Sequence, residues 1–296
     1  MDILPQLLIN ALISGSIYAI ASAGLSLSYG LQRILNFAQG HFMMVGAYAF
    51  YAARILHQGS LPESGVVALL VMLLLGLASL YIFVLPFSSF SPLLPFVTTL
   101  ALGAMLEASV SMLFGVNVQS ISRGLEFESI EFGGVFITPI QIVIIVSALS
   151  LLSLLGLLVH CTSFGRRIRA LSEHRYAAAS LGTSYTGTTI IVFCLGTVLS
   201  GYAGILVGLE TNIQPTMGAS YTIKAFAAMT LGGLGNLWGT VLGSYLLGLI
   251  ENLSIGLDFG GYSLPAGYKD AFAFVIILGV LLIKPEGLFR RVGRRV

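Results

Sequence analysis

Glu107 most invites a chemical reading, because it places a carboxylate inside an apolar run, Leu93 to Phe114. Thr98 and Thr99 lie earlier in that run, and Asn36, Gln39 and His41 flank Gly40 in the segment NFAQGH. A third polar interruption, LGGLGNLWG, carries Gly232, Gly233, Gly235 and Asn236. Polar groups in such surroundings are expensive unless they pair or meet water. They mark either a polar route for a small hydrophilic solute or interhelical pairing, with Glu107 bonded to a neighbouring helix and NFAQGH capping or kinking its own. Catalysis fits poorly. The histidines, His41, His57, His160 and His174, are scattered, with no serine, cysteine or carboxylate set beside one as a nucleophilic or metal centre requires. Cys161 and Cys194 lack metal-ligand spacing and read as free thiols. LGGLGNLWG lacks the Lys-Ser/Thr of a phosphate-binding loop and follows no predicted strand. Lys224, Glu210 and Glu251 fall near the ends of apolar runs and read as snorkelling or interfacial groups.

A different kind of site is the interval Arg166 to Gly182, RRIRALSEHRYAAASLG, the one strongly basic stretch between long apolar runs. Short basic loops stay on the cytoplasmic side, so this interval orients the chain. Leu171, Ala177, Ala178, Ala179 and Leu181 favour a short helix that Gly182 can stop. A surface helix with Ala177 and Ala178 as a small-residue face is a docking element for a soluble partner.

These residues need a membrane scaffold to position them. Of 296 residues, 56% are hydrophobic and 9% charged, where soluble domains carry about 25% charged residues. The fold class is all-α: a polytopic integral membrane helix bundle with no sizeable soluble domain. The net charge of +2 collects in the basic interval and the tail, which argues membrane topology and against nucleic-acid binding. The start, lacking a basic n-region and a small-residue cleavage site, reads as a retained first span. Spans need roughly 20 apolar residues. That criterion predicts seven, Gln6 to Tyr29, Leu35 to Leu56, Val66 to Leu85, Leu93 to Phe114, Phe136 to Val159, Thr188 to Leu209 and a short Ala271 to Ile283.

Between the last two lies the interrupted interval Ile223 to Ile250. If the basic interval and the tail RRVGRR are both cytoplasmic, an even number of crossings separates them. The interrupted interval must then start and finish on the same, outer side, as a broken or re-entrant pair with arms Lys224 to Leu234 and Leu237 to Ile250. Such a turn is tolerated only where protein buries it or a wet cavity meets it. Counting back puts Glu126, Glu128 and Glu131 and the N-terminus outside, and the Arg33 loop and the Leu85 to Pro92 turn inside. Small residues at fourfold spacing, Gly15, Ala19 and Ala23, then Gly196, Ser200, Gly204 and Gly208, then Gly235, Gly239 and Gly243, predict close helix packing.

Taken together, the motifs carry a resemblance. Glu173, Ala177, Ala178 and Gly182 look like the EAA-type coupling loop of ATP-binding-cassette importer permeases, although Glu-His-Arg-Tyr precedes these alanines and the full EAA spacing is missing. The stretches GSIYAIASAGLSLSYGLQRILNFAQGHFMMVGAY and KAFAAMTLGGLGNLWGTVLGSYLLGLIE, with the ending LIKPEGLF, are similar to the hallmarks of the branched-chain amino-acid permease family, most closely its H-type subunit. The resemblance implies a single transmembrane permease domain over residues 1–296 with a cytoplasmic coupling loop at about 164–186. It implies a bacterial inner-membrane subunit, itself no enzyme and binding no cofactor. ATP and magnesium would sit on two partner ATPase subunits, beside a second permease subunit and a periplasmic solute-binding protein. Branched-chain or related amino acids, or urea and short amides, are the solutes the resemblance offers. Two other classes stay open, a secondary transporter using Glu107 as its coupling carboxylate and a passive channel with the glycine turn as selectivity wall.

Overall fold

Helix starts follow from local chemistry. Ser60 with Glu63, and Thr138 with Gln141, form reciprocal capping boxes with a proline in the first turn, while Thr162 and Ser184 accept from the backbone N–H three residues on. The computed structural model describes residues 4–88, 90–91, 93–121, 129–132, 134–256 and 268–289. The helices, in order, are α1 (Leu4–Gln32), α2 (Gln39–Tyr51, continued by a π-turn Ala52–Leu56), α3 (Leu61–Ser79, continued by a π-turn Leu80–Val84) and α4 (Leu85–Ser88). There follow α5 (Leu93–Phe114), α6 (Pro139–Cys161), α7 (Ser163–Glu173), α8 (Arg175–Ser180), α9 (Tyr185–Glu210), α10 (Met217–Gly232), α11 (Leu237–Gly256) and α12 (Lys269–Ile283). A small antiparallel hairpin pairs β1 (Ile130–Phe132) with β2 (Val135–Ile137). The chain is an all-α, multi-pass membrane protein. Five helical segments among the described residues are long and apolar enough to cross a bilayer, or six if α10 and α11 count as one bent span.

The expected span Leu35 to Leu56 needs correction. Its helix begins only at Gln39, because Arg33 takes a left-handed backbone (φ 57°) and residues 33–38 run back into the bundle without helical structure. An apolar run can continue through such a re-entry, so hydropathy does not see it. The tail Arg290 to Arg295 and the outer acidic residues Glu126 and Glu128 lie outside the described residues.

The interrupted interval is a broken pair, bent by 118° between α10 and α11. Gly233 (φ 104°) and Gly235 (φ 76°) adopt backbone conformations that a side chain would strain. α10 begins at Met217, seven residues before the expected arm, since MGASYTI is too small and polar to stand out by hydropathy. The turn packs on Gly30 at the end of α1 and on Gly287, and the Leu288 N–H donates to Leu231 O at 2.8 Å. Leu27 and Leu31 at that end of α1 share a buried cluster with Ile168 and Leu171 of α7 and Ala178 of α8, so the turn sits at the bundle end that carries those two helices. At the opposite end Gln6 bonds Phe136, and Gln119 pairs with Ile213 just before α10. α10 thus begins, and α11 finishes, toward that opposite end.

Antiparallel α1 and α11 are joined by rungs that step about a turn along α1. Asn252 donates to Ser14, Tyr18 to Glu251 and Thr240 to Ser26, while the Ser22 and Ser244 hydroxyls meet at 2.7 Å. Gly15 and Gly248 let the backbones approach closely enough for these bonds. In lipid, where no hydrophobic effect drives helices together, such packing and bonds of about 0.6 kcal/mol each do so. α2 is buried on nearly every side, against α1, α3, α9 and α10, whereas α3, α5 and α6 present apolar faces outward.

Candidate functional site

The re-entry before α2 builds a polar seam. Gln39 Nε2 meets the carbonyls of Ala21 and Gly196 and the Ser200 hydroxyl, groups midway along α1 and α9. The first turn of α2 therefore lies at mid-depth, not at the membrane surface. A helix start there leaves N–H groups that water cannot reach. Neighbouring helices and the lead-in supply partners: Thr99 Oγ1 accepts from Phe37 N (3.2 Å), Thr222 Oγ1 from Gly40 N (3.0 Å) and Asn36 Oδ1 from Ala38 N (3.0 Å). Gly40 sits so close to α10 that a Cβ would overlap Gly218 O and Thr222 N. Phe37 wedges between Phe96 of α5 and Phe226 of α10, with ring centroids 4.8 and 5.7 Å away.

Beside this turn His41 Nε2 lies 3.4 Å from Glu107 Oε2. Asn36, Gln39 and His41 are buried, but the Glu107 side chain keeps 32% of its surface exposed on α5. Ionisable groups within spans almost always face the bundle interior or a water-filled cavity, not hydrocarbon. Of the predicted pathway residues, Asn36, Gln39, Gly40, His41, Thr99 and Glu107 come together here. Thr98 instead donates to Phe83 O at 2.5 Å, tying α5 to the end of α3. Gly232, Gly233, Gly235 and Asn236 form the turn at the α7–α8 end, where Asn236 Nδ2 donates to Phe289 O at 2.6 Å.

A second cluster escaped the sequence reading. Lys224 lies in the middle of α10, 11% exposed, with its ammonium 2.9 Å from Asp270 Oδ1 on α12 and 3.3 Å from Glu251 Oε1 on α11. Lys224 also meets the Tyr18 hydroxyl at 3.1 Å, and that hydroxyl donates to Glu251 Oε2 at 2.7 Å. Glu251 is fully buried and Asp270 is 46% exposed. Lys224 and Glu251 are therefore interior ion-pair partners and not snorkelling groups, while Glu210 stays at the end of α9 and accepts from Gln141. The signal available in the sequence was the fourfold spacing Ser14, Tyr18, Ser22, Ser26, echoed by Thr240 and Ser244 before Glu251.

At the far end, the basic interval is two helices and not one, broken at His174 (φ −142°, ψ 94°). Ile168 and Leu171 face inward, and the Arg169 guanidinium bonds Val159 O near the end of α6. Arg175 lies over the Tyr185 ring at 3.6 Å. α8 ends in the expected glycine stop, Gly182 at φ 83°, with Thr183 N donating to Ala178 O at 3.1 Å. Ala178 is a correction: it is buried in the cluster with Val159, Leu171 and Val192, so it does not form the outward face. That face is Tyr176 (88% exposed), Ala177 and Leu181 (86%), with Glu173 exposed just before it.

The whole chain is similar to known permeases. It is 30% identical to the high-affinity branched-chain amino acid transport system permease protein BraD of Pseudomonas aeruginosa, over 97% of this chain and 95% of that protein. Its identity to LivH of Escherichia coli K12, a protein of the same description, is 28% with the same coverage. Ribose import permease protein RbsC of Bacillus subtilis is 28% identical over 64% of this chain and 57% of that protein. The solved structure described as PsaBC from Streptococcus pneumoniae in complex with Fab shares the fold, with a TM-score of 0.52 and 12% identity over 94% of this chain and 91% of that one. Residues 7–281 match the family described as branched-chain amino acid transport system, permease component, and the chain belongs to that family of ATP-binding-cassette permeases.

Proposed function

We propose that this chain is one membrane subunit of an ATP-driven importer for branched-chain or chemically similar amino acids in the bacterial inner membrane. Its partners are a second permease subunit, two ATPase subunits that carry ATP and magnesium, and a periplasmic solute-binding protein. The observation that carries this reading is the end-to-end similarity to BraD and LivH, relatives described as branched-chain amino acid permeases. The geometry supports it in two places. Glu173, Tyr176, Ala177, Leu181 and Gly182 form an exposed knob with two large apolar side chains in water, the kind of patch that marks a protein partner. The buried faces of α7 and α8 tie that knob to α6 and α9, so a push on it reaches the spans. The partly exposed Glu107, beside His41 and the α2 break, lies on the face toward the second permease subunit, where the solute passes.

The test is reconstitution of the complex with leucine uptake and ATP hydrolysis measured together. Ala177→Arg, on the exposed face, should leave the subunit inserted but lower solute-stimulated ATP hydrolysis and uptake at least tenfold. Normal uptake in that variant would remove the docking role. Uptake by the permease alone, driven by an ion gradient and indifferent to ATP, would remove the importer reading altogether.

A further inference from the structure

We propose that the groove between α2, α3 and α5 holds one membrane phospholipid, with an acyl chain in the groove and the headgroup at its mouth beside His57. The cavity has a volume of about 390 Å³, within the range of about 300–1,000 Å³ typical of small-molecule sites. Its origin is local. Where the rest of α2 carries Phe, Met and Tyr, the groove wall has Ala49, Ala52 and Ala53, and the last two begin a π-turn. A π-turn is a locally widened helix, a feature that recurs at functional sites.

Three observations choose the occupant. Val67, Val71 and Leu113 line the groove and are also exposed on the outward apolar faces of α3 and α5, so the groove opens toward hydrocarbon. From Leu106 to Leu113 its α5 wall runs roughly 10 Å along the helix, which suits an extended chain. Polar groups are present as well. Tyr48, 1% exposed, lines the cavity, and its buried hydroxyl has no hydrogen-bond partner among the described residues. His57 lines the groove just past Tyr51, whose hydroxyl donates to Gln119 at the bundle end opposite α7 and α8. A phospholipid supplies both parts, a chain for the walls and ester or phosphate oxygens for the hydroxyl and imidazole. A pure hydrocarbon would leave Tyr48 unsatisfied.

The full chain should be placed in vesicles of equimolar phosphatidylethanolamine and phosphatidylglycerol doped with a phospholipid carrying a photoactivatable group in its acyl chain. Cross-links should concentrate on Val71, Ser109 and Leu113 over the outward α6 positions Val143, Val146 and Leu149. Val67→Trp and, separately, Ser109→Trp fill the groove from exposed positions and should abolish that labelling while sparing α6. Tyr48→Phe should weaken it about two- to tenfold, the worth of one hydrogen bond. Equal labelling of groove and α6, or groove labelling unchanged in both tryptophan variants, means annular lipid only and overturns the site. Equal capture of a photoactivatable fatty acid that lacks phosphate overturns the headgroup assignment.

Discussion

Replacing Lys224 with methionine keeps the length of the side chain and removes its charge. Two carboxylates then lose their cation, on unequal terms. Asp270, 46% exposed at the start of α12, can turn to water, and its share of the loss is about 0–1 kcal/mol. Glu251 is fully buried, where water cannot take the place of the ammonium, and keeps the Tyr18 hydroxyl. Removing one partner of a buried pair costs about 3–5 kcal/mol, mostly the uncompensated charge left behind. Lys224→Met should therefore destabilise by about 3–5 kcal/mol. Glu251→Gln should cost less, roughly 1–3 kcal/mol, because Lys224 retains Asp270 at 2.9 Å. The double variant Lys224→Met, Glu251→Gln removes both buried charges and should be more stable than Lys224→Met alone. The measurement is a double-mutant cycle by reversible unfolding of the full chain in mixed detergent micelles, with Asp270→Asn as the solvent-facing control. A cost below about 1 kcal/mol for Lys224→Met would refute the reasoning, since that is the scale of an exposed position. So would a double variant whose loss is the simple sum of the singles.

Gly40→Leu pushes a side chain into the Gly218 and Thr222 backbone, so it should destabilise by at least about 1–3 kcal/mol and abolish uptake, read by unfolding and by transport in the same preparation. Glu107→Gln keeps a polar partner for His41 and removes the carboxylate charge. In an ATP-driven importer this variant should retain uptake within about threefold, a change of less than 1 kcal/mol, with no sensitivity to ionophores. Loss of uptake, together with gradient dependence in the unaltered protein, would point to the secondary-transport class.

Charge counting carried further along this chain than hydropathy did. The requirement that the basic interval and the tail share a side makes α10 and α11 a folded-back pair on charge alone, and the 118° bend agrees. The left-handed Gly233 and Gly235 supply the physical means of the turn. Hydropathy misplaced α2 because Leu35, Phe37 and Ala38 are apolar while their backbone is not helical. What ends the helix is Arg33 at positive φ, and what restarts it at depth are the hydroxyls of Thr99 and Thr222 on other helices. No window along the sequence contains all three.

Lys224 shows why the remaining misreading was of the same kind. A lysine drawn at the start of an arm reads as a snorkelling group; moved to the middle of α10, it must find a counter-charge. That counter-charge comes from Glu251 and Asp270, on two later helices that only the folded-back turn brings alongside. Ala177 and Ala178 make the point over a single step of the chain. They are the same residue type, yet a helical step of about 100° sends Ala178 into the Val159 and Leu171 cluster and leaves Ala177 outside with Tyr176. Residue type selected both alanines for docking; only the direction in which α8 is pinned by Arg175 on Tyr185 and by the Gly182 stop separates the one that can touch a partner from the one that holds the lever together.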